Sequence, residues 1–308
     1  MARWDDFNVT FGFKGDYPYN PKVVDRIIAN RKALYSTLFI DRLLGALGID
    51  SAPRLYPPKS IETLRKLHRE ILASGSPNHH KQSVIYYLLR DCENLDDGTN
   101  RLEFARRCLL PQKYKLLVDG IWYMDRLEFQ SALGYLTEPS LIPTFPDEIL
   151  YVLSTLSEQD DHLATAYYVA VSPPLATSEV LNAYFAVLCR SGVSTAFCFT
   201  RKQPLDIRRE LFGQLVVFVL AAKAGEERAE KAMELVNLPF SDIEIEWFED
   251  CLLHGKAKNL PGAKDTVMMR RVATGHLDNL GALESLGGRK IEGLNWDILR
   301  KNLKPSVS

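Results

Sequence analysis

An all-α fold, an irregular α-solenoid-like stack of antiparallel helix pairs, is what this 308-residue sequence predicts, and three observations carry the prediction. From about Asn20 onward apolar residues recur at helical spacing. The polar breaks between these runs are short, so successive helices turn back on one another, as they do in α-solenoids, with a compact irregular bundle as the competing architecture. No stretch alternates β-branched and polar residues long enough to argue a sheet, Val9-Thr10-Phe11 being the one weak strand pattern.

Asn20-Pro21 opens the first helix with proline at N1, and Val23, Val24, Ile27, Ile28, Leu34 and Tyr35 supply its apolar face. Leu38 to Leu47 continues or follows it and Gly48 ends it, after which three prolines in Ser51 to Pro58 enforce a loop. Helices follow over Ser60 to Ser74, Asn78 to Cys92 and Arg101 to Leu110. Pro111 starts another with Tyr114, Leu117, Val118, Ile121 and Trp122 on one face, and Asp125 with Glu128 reads as a capping box for Leu127 to Leu136. Thr144 and Asp147 repeat that logic for Ile149 to Leu156, and Leu163 to Val171 runs into Pro173-Pro174. Thr177 or Ser178 caps a stripe of Val180, Leu181, Tyr184, Phe185 and Leu188 that Gly192 closes. Leu205 to Ala222 is apolar on nearly all sides and is expected to have neighbours all round, with Glu226 to Val236 and a Ser241/Glu244-boxed helix to Leu253 completing the series. The chain thus reads as an aromatic N-terminal segment (1–20), a helical domain (21–255) and a glycine-broken, looser tail (256–308). No strict 34-residue or similar repeat is present, which disfavours a regular tetratricopeptide or HEAT array.

With 46% hydrophobic and 25% charged residues the chain has the composition of a folded protein. Its 38 basic and 39 acidic residues leave no overall attraction for phosphate or anionic lipid, so nucleic acid is not the expected main partner. Five scattered cysteines, mostly in apolar runs, fit a reducing compartment. No segment approaches the roughly 20 apolar residues that cross a bilayer, so direct membrane insertion is not expected.

Chemistry-bearing motifs are missing. The adjacent His-Asp pair of a metal-dependent helical phosphohydrolase is absent: Asp160-Asp161-His162 has the reverse order, and His276 and Asp278 fall on different helix faces. His79-His80 reads as surface residues at a helix start. No Cys-x-x-Cys, His-Glu-x-x-His, Walker loop, Gly-x-Gly-x-x-Gly or Gly-x-Ser-x-Gly occurs. The expectation is therefore no catalytic residue, no metal and no cofactor, and a protein that works through its surface. Two apolar ends are the candidate partner-binding anchors: Trp4, Phe7 and Phe11 in the aromatic N-terminal segment, and Trp296, Leu299 and Leu303 in the tail. The N-terminal aromatics have a second reading, a strap packed on the protein's own helices.

Residues 110–201 resemble the ELYS-like nuclear pore complex assembly domain. The resemblance lies in Leu110-Pro111, Trp122 and Asp125 in Ile-Trp-Tyr-Met-Asp, Phe129, Ala132 and Leu133, then Pro139, Ile149, Leu150, Leu153, Ala166-Tyr167-Tyr168, Pro173-Pro174 and Ala196-Phe197-Cys198-Phe199-Thr200-Arg201. Singly these are core anchors, caps and helix ends, with Arg201 placed to meet a carboxylate or exposed carbonyls; their joint order carries the resemblance. It implies a structural nucleoporin of the Y-shaped scaffold subcomplex at the nuclear envelope, supporting pore assembly and nucleocytoplasmic transport, mRNA transport included. The implied partners are a large propeller-solenoid nucleoporin and a small β-propeller nucleoporin. The Arg-Gly-Arg-Pro core of the chromatin-binding hooks found in longer relatives is absent. Two other readings stand beside this one: a helical adaptor of another assembly, such as a vesicle coat or a proteasome-lid-like complex, and a metal-dependent all-α hydrolase.

Overall fold

The computed structural model describes residues 4–12, 17–92, 99–157 and 160–275. Among them are seventeen helices and no strand, so the chain is all-α. Two compact units divide it, Met1–Ala176 and Thr177–Ser308.

The first unit runs through α1 (Phe7–Phe11), α2 (Pro21–Ala33), α3 (Phe39–Ala46), α4 (Ala52–Leu55), α5 (Ile61–Ala73) and α6 (Asn78–Asp91). It continues with α7 (Thr99–Arg107), α8 (Gln112–Asp125), α9 (Phe129–Leu136), α10 (Pro146–Leu156) and α11 (Asp161–Val171). Local caps start several of these as the sequence dictates: the Asn20 side chain accepts from the Val23 N–H, and Ser60 from the Thr63 N–H. The centre is α6, buried without interruption from Gln82 to Asp91 and packed on α3, α5, α7 and α8. Consecutive helices also pair, α8 with α9 and α10 with α11. The first of these pairs is closed by Gly120, where a Cβ would lie 2.6 Å from Leu136 Cγ and 2.7 Å from its Cδ2; the missing side chain lets α9 lie down on α8.

The second unit holds α12 (Ser178–Ser191), α13 (Val193–Thr200), α14 (Leu205–Ala221), α15 (Glu226–Asn237), α16 (Asp242–Leu253) and α17 (Ala263–Ala273). Here each helix packs on the next but one, α12 on α14, α13 on α15, α14 on α16 and α15 on α17, which makes the unit a stack. As its all-round apolar character requires, α14 is surrounded by α12, α13, α15 and α16. Phe197, Phe212, Phe240 and Phe248 join ring to ring through its core, with centroids 5.1–5.6 Å apart along the chain of contacts.

The structure adds what periodicity did not reveal. The weak strand pattern at Val9-Thr10-Phe11 is helical, the proline-rich loop contains α4, and α13 follows α12 directly through Gly192. Within the stretch expected to be a looser tail lies α17, with Ala263, Val267 and Met268 buried. Two expected caps act elsewhere. The N-cap of α9 is Glu128, while Asp125 is buried and serves α3; the N-cap of α10 is Phe145, while Asp147 accepts from the Leu175 and Ala176 N–H groups beyond α11.

Candidate interaction surface

Buried carboxylates tie the first unit together. Asp125, at the end of α8, accepts from the first N–H groups of α3, Phe39 at 2.6 Å and Ile40 at 2.9 Å, and from the Tyr87 hydroxyl at 2.9 Å. These are orphan donors of a helix N-terminus, satisfied from 86 positions away in the chain. Burial pushes the Asp125 carboxyl up to about 7 against the opposing effect of these three hydrogen bonds. Asp91 is met by Tyr19 and Tyr56 hydroxyls at 2.9 and 2.7 Å, the Trp122 indole N–H at 2.8 Å and Arg126 at 3.3 Å. Burial first, then the Asp91 charge, raises the Tyr19 and Tyr56 phenols far above their ordinary range, so both remain donors. A third carboxylate, Asp119, is paired with Arg90 and Arg101, and the Arg90 guanidinium lies 4.5 Å from the Trp122 ring.

The second unit has its own tie. Glu244 is fully buried and accepts from Arg201 at 2.7 and 3.1 Å, from Arg208, and from the Ser241 N–H at 2.8 Å, which completes the expected box at the start of α16. Burial raises its carboxyl, yet the Arg201, Arg208 and Ser241 hydrogen bonds outweigh that and hold it at about 2. Arg201 also donates to the Pro239 carbonyl at 2.6 Å, so it meets both kinds of partner expected of it. Arg270 of α17 donates to the Val236 and Leu238 carbonyls at the end of α15, a cation placed at a helix C-terminus. Every one of these polar groups is engaged in holding helices in place.

Three of the histidines, His68, His79 and His162, have local partners. His68 is buried beneath the N-terminal rings, and burial lowers its pKa. The His79 ring stacks 5.8 Å from Tyr114 and pairs with Gln82 at 3.2 Å, while His162 pairs with Asp160. Among the described residues no group of three or more His, Cys, Asp or Glu is placed to hold a metal. The cavity beside Asp125 and Asp91 measures about 10 Å³, room for about one water at most, which needs roughly 10–15 Å³ on the same measure. Cys92, Cys189 and Cys251 are buried and Cys198 is exposed.

The surface carries the apolar features left over. Trp4 and Phe7 are half-buried and Phe11 is 1% exposed, because α1 lies on α5: Phe7 and Phe11 meet the His68 ring edge-on at 5.8 and 5.6 Å, and Arg65 covers Phe7 at 4.7 Å. The N-terminal anchors are therefore together, and Phe11 is covered by its own chain. Trp296, Leu299 and Leu303 lie outside the described residues. Sequence reasoning missed two depressions. One, of about 90 Å³, is walled by the Thr137–Thr144 connection and α11, with Ile142 at its rim 69% exposed. The other, of about 290 Å³, lies between α14 and α16 on a floor of Phe212, Trp247 and Cys251. Neither leaves a sequence signal, since each depends on which faces of two helices the packing leaves uncovered.

Fold and surface together define a class: a helical protein of stacked, internally cross-tied helices, with polar groups turned to structure and open apolar features turned outward. Residues 37–255 match the model of the family described as ELYS, nuclear pore complex assembly. The uncharacterized protein ely5 of Schizosaccharomyces pombe is 33% identical over 236 residues, which is 75% of this chain and 74% of that relative. The chain belongs to the ELYS nuclear pore complex assembly family. Membership carries a nucleoporin role, assembly with other nucleoporins and a place at the nuclear pore. No described helix is long and apolar enough to cross a membrane.

Proposed function

We propose that the protein is a non-catalytic structural subunit of the Y-shaped scaffold subcomplex of the pore, docking on a large propeller-solenoid nucleoporin beside a small β-propeller nucleoporin, and so supporting pore assembly and nucleocytoplasmic transport. The observation that carries this reading is the family match across residues 37–255. The internal ties support it, because carboxylates such as Asp91 and Glu244 have all their neighbours engaged in fixing helix positions. A preorganised scaffold of this kind loses little freedom on docking, which favours binding. The anchors we assign are the ends: Trp4 and Phe7, with Phe11 seating them, and Trp296, Leu299 and Leu303.

Affinity capture of the full chain from cell extract tests the reading. Scaffold nucleoporins at stoichiometric levels are expected, the large propeller-solenoid protein among them. Capture of vesicle-coat or proteasome-lid subunits in their place overturns it. Deleting residues 1–12 and 276–308, singly and together, tests the anchors, and undiminished capture after the double deletion removes them.

A further inference from the structure

Where α7 ends, the backbone turns on a pair of hydrogen bonds: the Leu110 N–H donates to the Ala105 carbonyl at 3.0 Å and the Leu109 N–H to the Arg106 carbonyl at 3.2 Å. This closure puts Leu109 in the left-handed region at φ +50°, where glycine is the default because a Cβ is crowded there. The chain follows that default after α3, where Gly48 at φ +80° sits on the same pair of bonds. After α8 a leucine takes the position, Leu127 at φ +62°, and packing accounts for it, since its side chain is half-buried. Leu109 has no such reason. Its side chain is 81% exposed, and the buried apolar residues of the turn are its neighbours Ala105 and Leu110. For the fold alone, glycine would close this helix better.

The surroundings of the tip are cationic. Arg106 and Arg107 in the last turn of α7 and Lys113 at the start of α8 are exposed, and Leu102, on the outer face of α7, is 53% exposed. Glu103 is the one carboxylate between positions 101 and 115, and it reaches Arg107 only at 3.9 Å. Charges that nearly cancel over the whole chain, 38 basic against 39 acidic, are separated here.

We propose that this corner, from Leu102 to Lys113, rests on an anionic bilayer surface, with Leu109 dipping below the headgroups and Arg106, Arg107 and Lys113 held among them. Charge selects an anionic occupant. The projecting shape selects a bilayer: a folded partner would need a pocket rimmed by carboxylates to receive the tip, whereas a membrane interface yields to an aliphatic side chain beside cations with no preformed site. No described helix is long and apolar enough to cross a membrane, so the contact is interfacial. A place at the nuclear pore puts a membrane within reach. Few side chains take part, so the attachment is weak and salt-sensitive, which suits a subunit positioned by its protein neighbours.

The test is co-sedimentation of the full chain with vesicles of phosphatidylcholine alone and of phosphatidylcholine mixed with phosphatidylserine. Binding to the mixed vesicles only is expected, and added salt should abolish it. Leu109→Gly separates this role from a structural one. It should lower the partition coefficient about tenfold or more, the worth of a buried leucine side chain, while the urea midpoint holds or rises because the turn receives its preferred residue. Reversing both arginines, Arg106→Glu with Arg107→Glu, should lower the coefficient by a similar factor. No binding by the natural chain, equal binding to neutral vesicles, or sedimentation that either variant leaves unchanged overturns the proposal. So does a fall in the urea midpoint of Leu109→Gly, which would mean that the leucine holds the turn. Loss of a captured nucleoporin in Leu109→Gly, with vesicles unbound by the natural chain, would give the tip to a protein partner and likewise overturn it. The scaffold reading rests on capture of nucleoporins by the natural chain, and none of the vesicle results bears on it.

Discussion

Asp125 is a carboxylate that the fold both needs and resists. It satisfies the α3 N-terminus and Tyr87, yet burial lifts its pKa to about 7, so between about pH 4 and 7 the folded protein holds a proton that the unfolded chain has released. Stability from this residue is full below about pH 4, falls as pH rises through that window at up to about 1.4 kcal/mol per pH unit, and levels off above 7. Asp125→Asn removes the titration. At pH 5 it should cost about 1–3 kcal/mol, because an amide nitrogen has no lone pair for the Phe39 or Ile40 N–H that faces it, whereas the hydroxyl oxygen of a carboxylic acid still has one. The gap to the natural chain should close as pH rises to 8. Urea unfolding at pH 5, 6, 7 and 8 checks this, and a parallel pH dependence in the two proteins contradicts the assignment. The same residue marks the limit of sequence reading. Asp125 and Glu128 have capping-box spacing, and the partner that outcompetes Glu128 lies 86 positions away, which no local pattern encodes. Where donor and acceptor are three residues apart, as at Asn20, Thr177 and Ser241, sequence and structure agree.

Elements were legible in proportion to their length and amphipathic contrast. The long helices α5, α6, α12 and α14 begin and end within two residues of where periodicity and caps put them. Short α1 and α4 have too few residues to display a period, and α13, Val-Ser-Thr-Ala-Phe-Cys-Phe-Thr, is apolar on several faces and starts directly after a terminating glycine. Glycines nearby hid α17, although its Val267 and Met268 are buried against α15 and α16. Packing details were less legible still, and the α8–α9 pair is the example. Its closeness depends on one missing methyl group, so Gly120→Ala must push Leu136 away or shift α9, and a loss of about 1–3 kcal/mol in chemical denaturation is expected despite the better helix propensity of alanine. The N-terminal strap behaves differently, because α1 has only five residues and rests on α5. Phe11→Ala should release it locally. His68, whose pKa burial depresses, should then titrate near its ordinary 6.5, as read from its imidazole NMR signals, while the melting of the rest of the first unit changes little. A His68 titration unmoved by the substitution would mean that something other than the strap keeps water from the ring.

At the scale of the whole molecule, the two units are stabilised by carboxylates of opposite habit. The ties of Asp125 lie in α3, α6 and α8 of the first unit; those of Glu244 lie in α13, α14 and the start of α16 in the second. For Glu244 the sign is reversed. Its folded pKa of about 2 is below the ordinary 4.5, so its contribution is present above 4.5 and is lost as pH falls toward 2. Mild acid should thus loosen the second unit while the Asp125 effect favours the first. Removing the carboxyl altogether exposes the same asymmetry at neutral pH. Glu244→Ala leaves the partly exposed Arg201 and Arg208 guanidiniums without their buried counter-charge, a loss of about 2–3 kcal/mol. Because none of those partners belongs to residues 1–176, the lost protection should be confined at first to α12–α17. Hydrogen exchange at pH 7, resolved by peptide, is the measurement: amides of α14 and α16 should exchange faster by up to about a hundredfold while those of α6 and α8 hold their rates. Equal acceleration in both sets would mean that the two units open as a single cooperative body, and that a scaffold subunit of this family resists distortion as one piece.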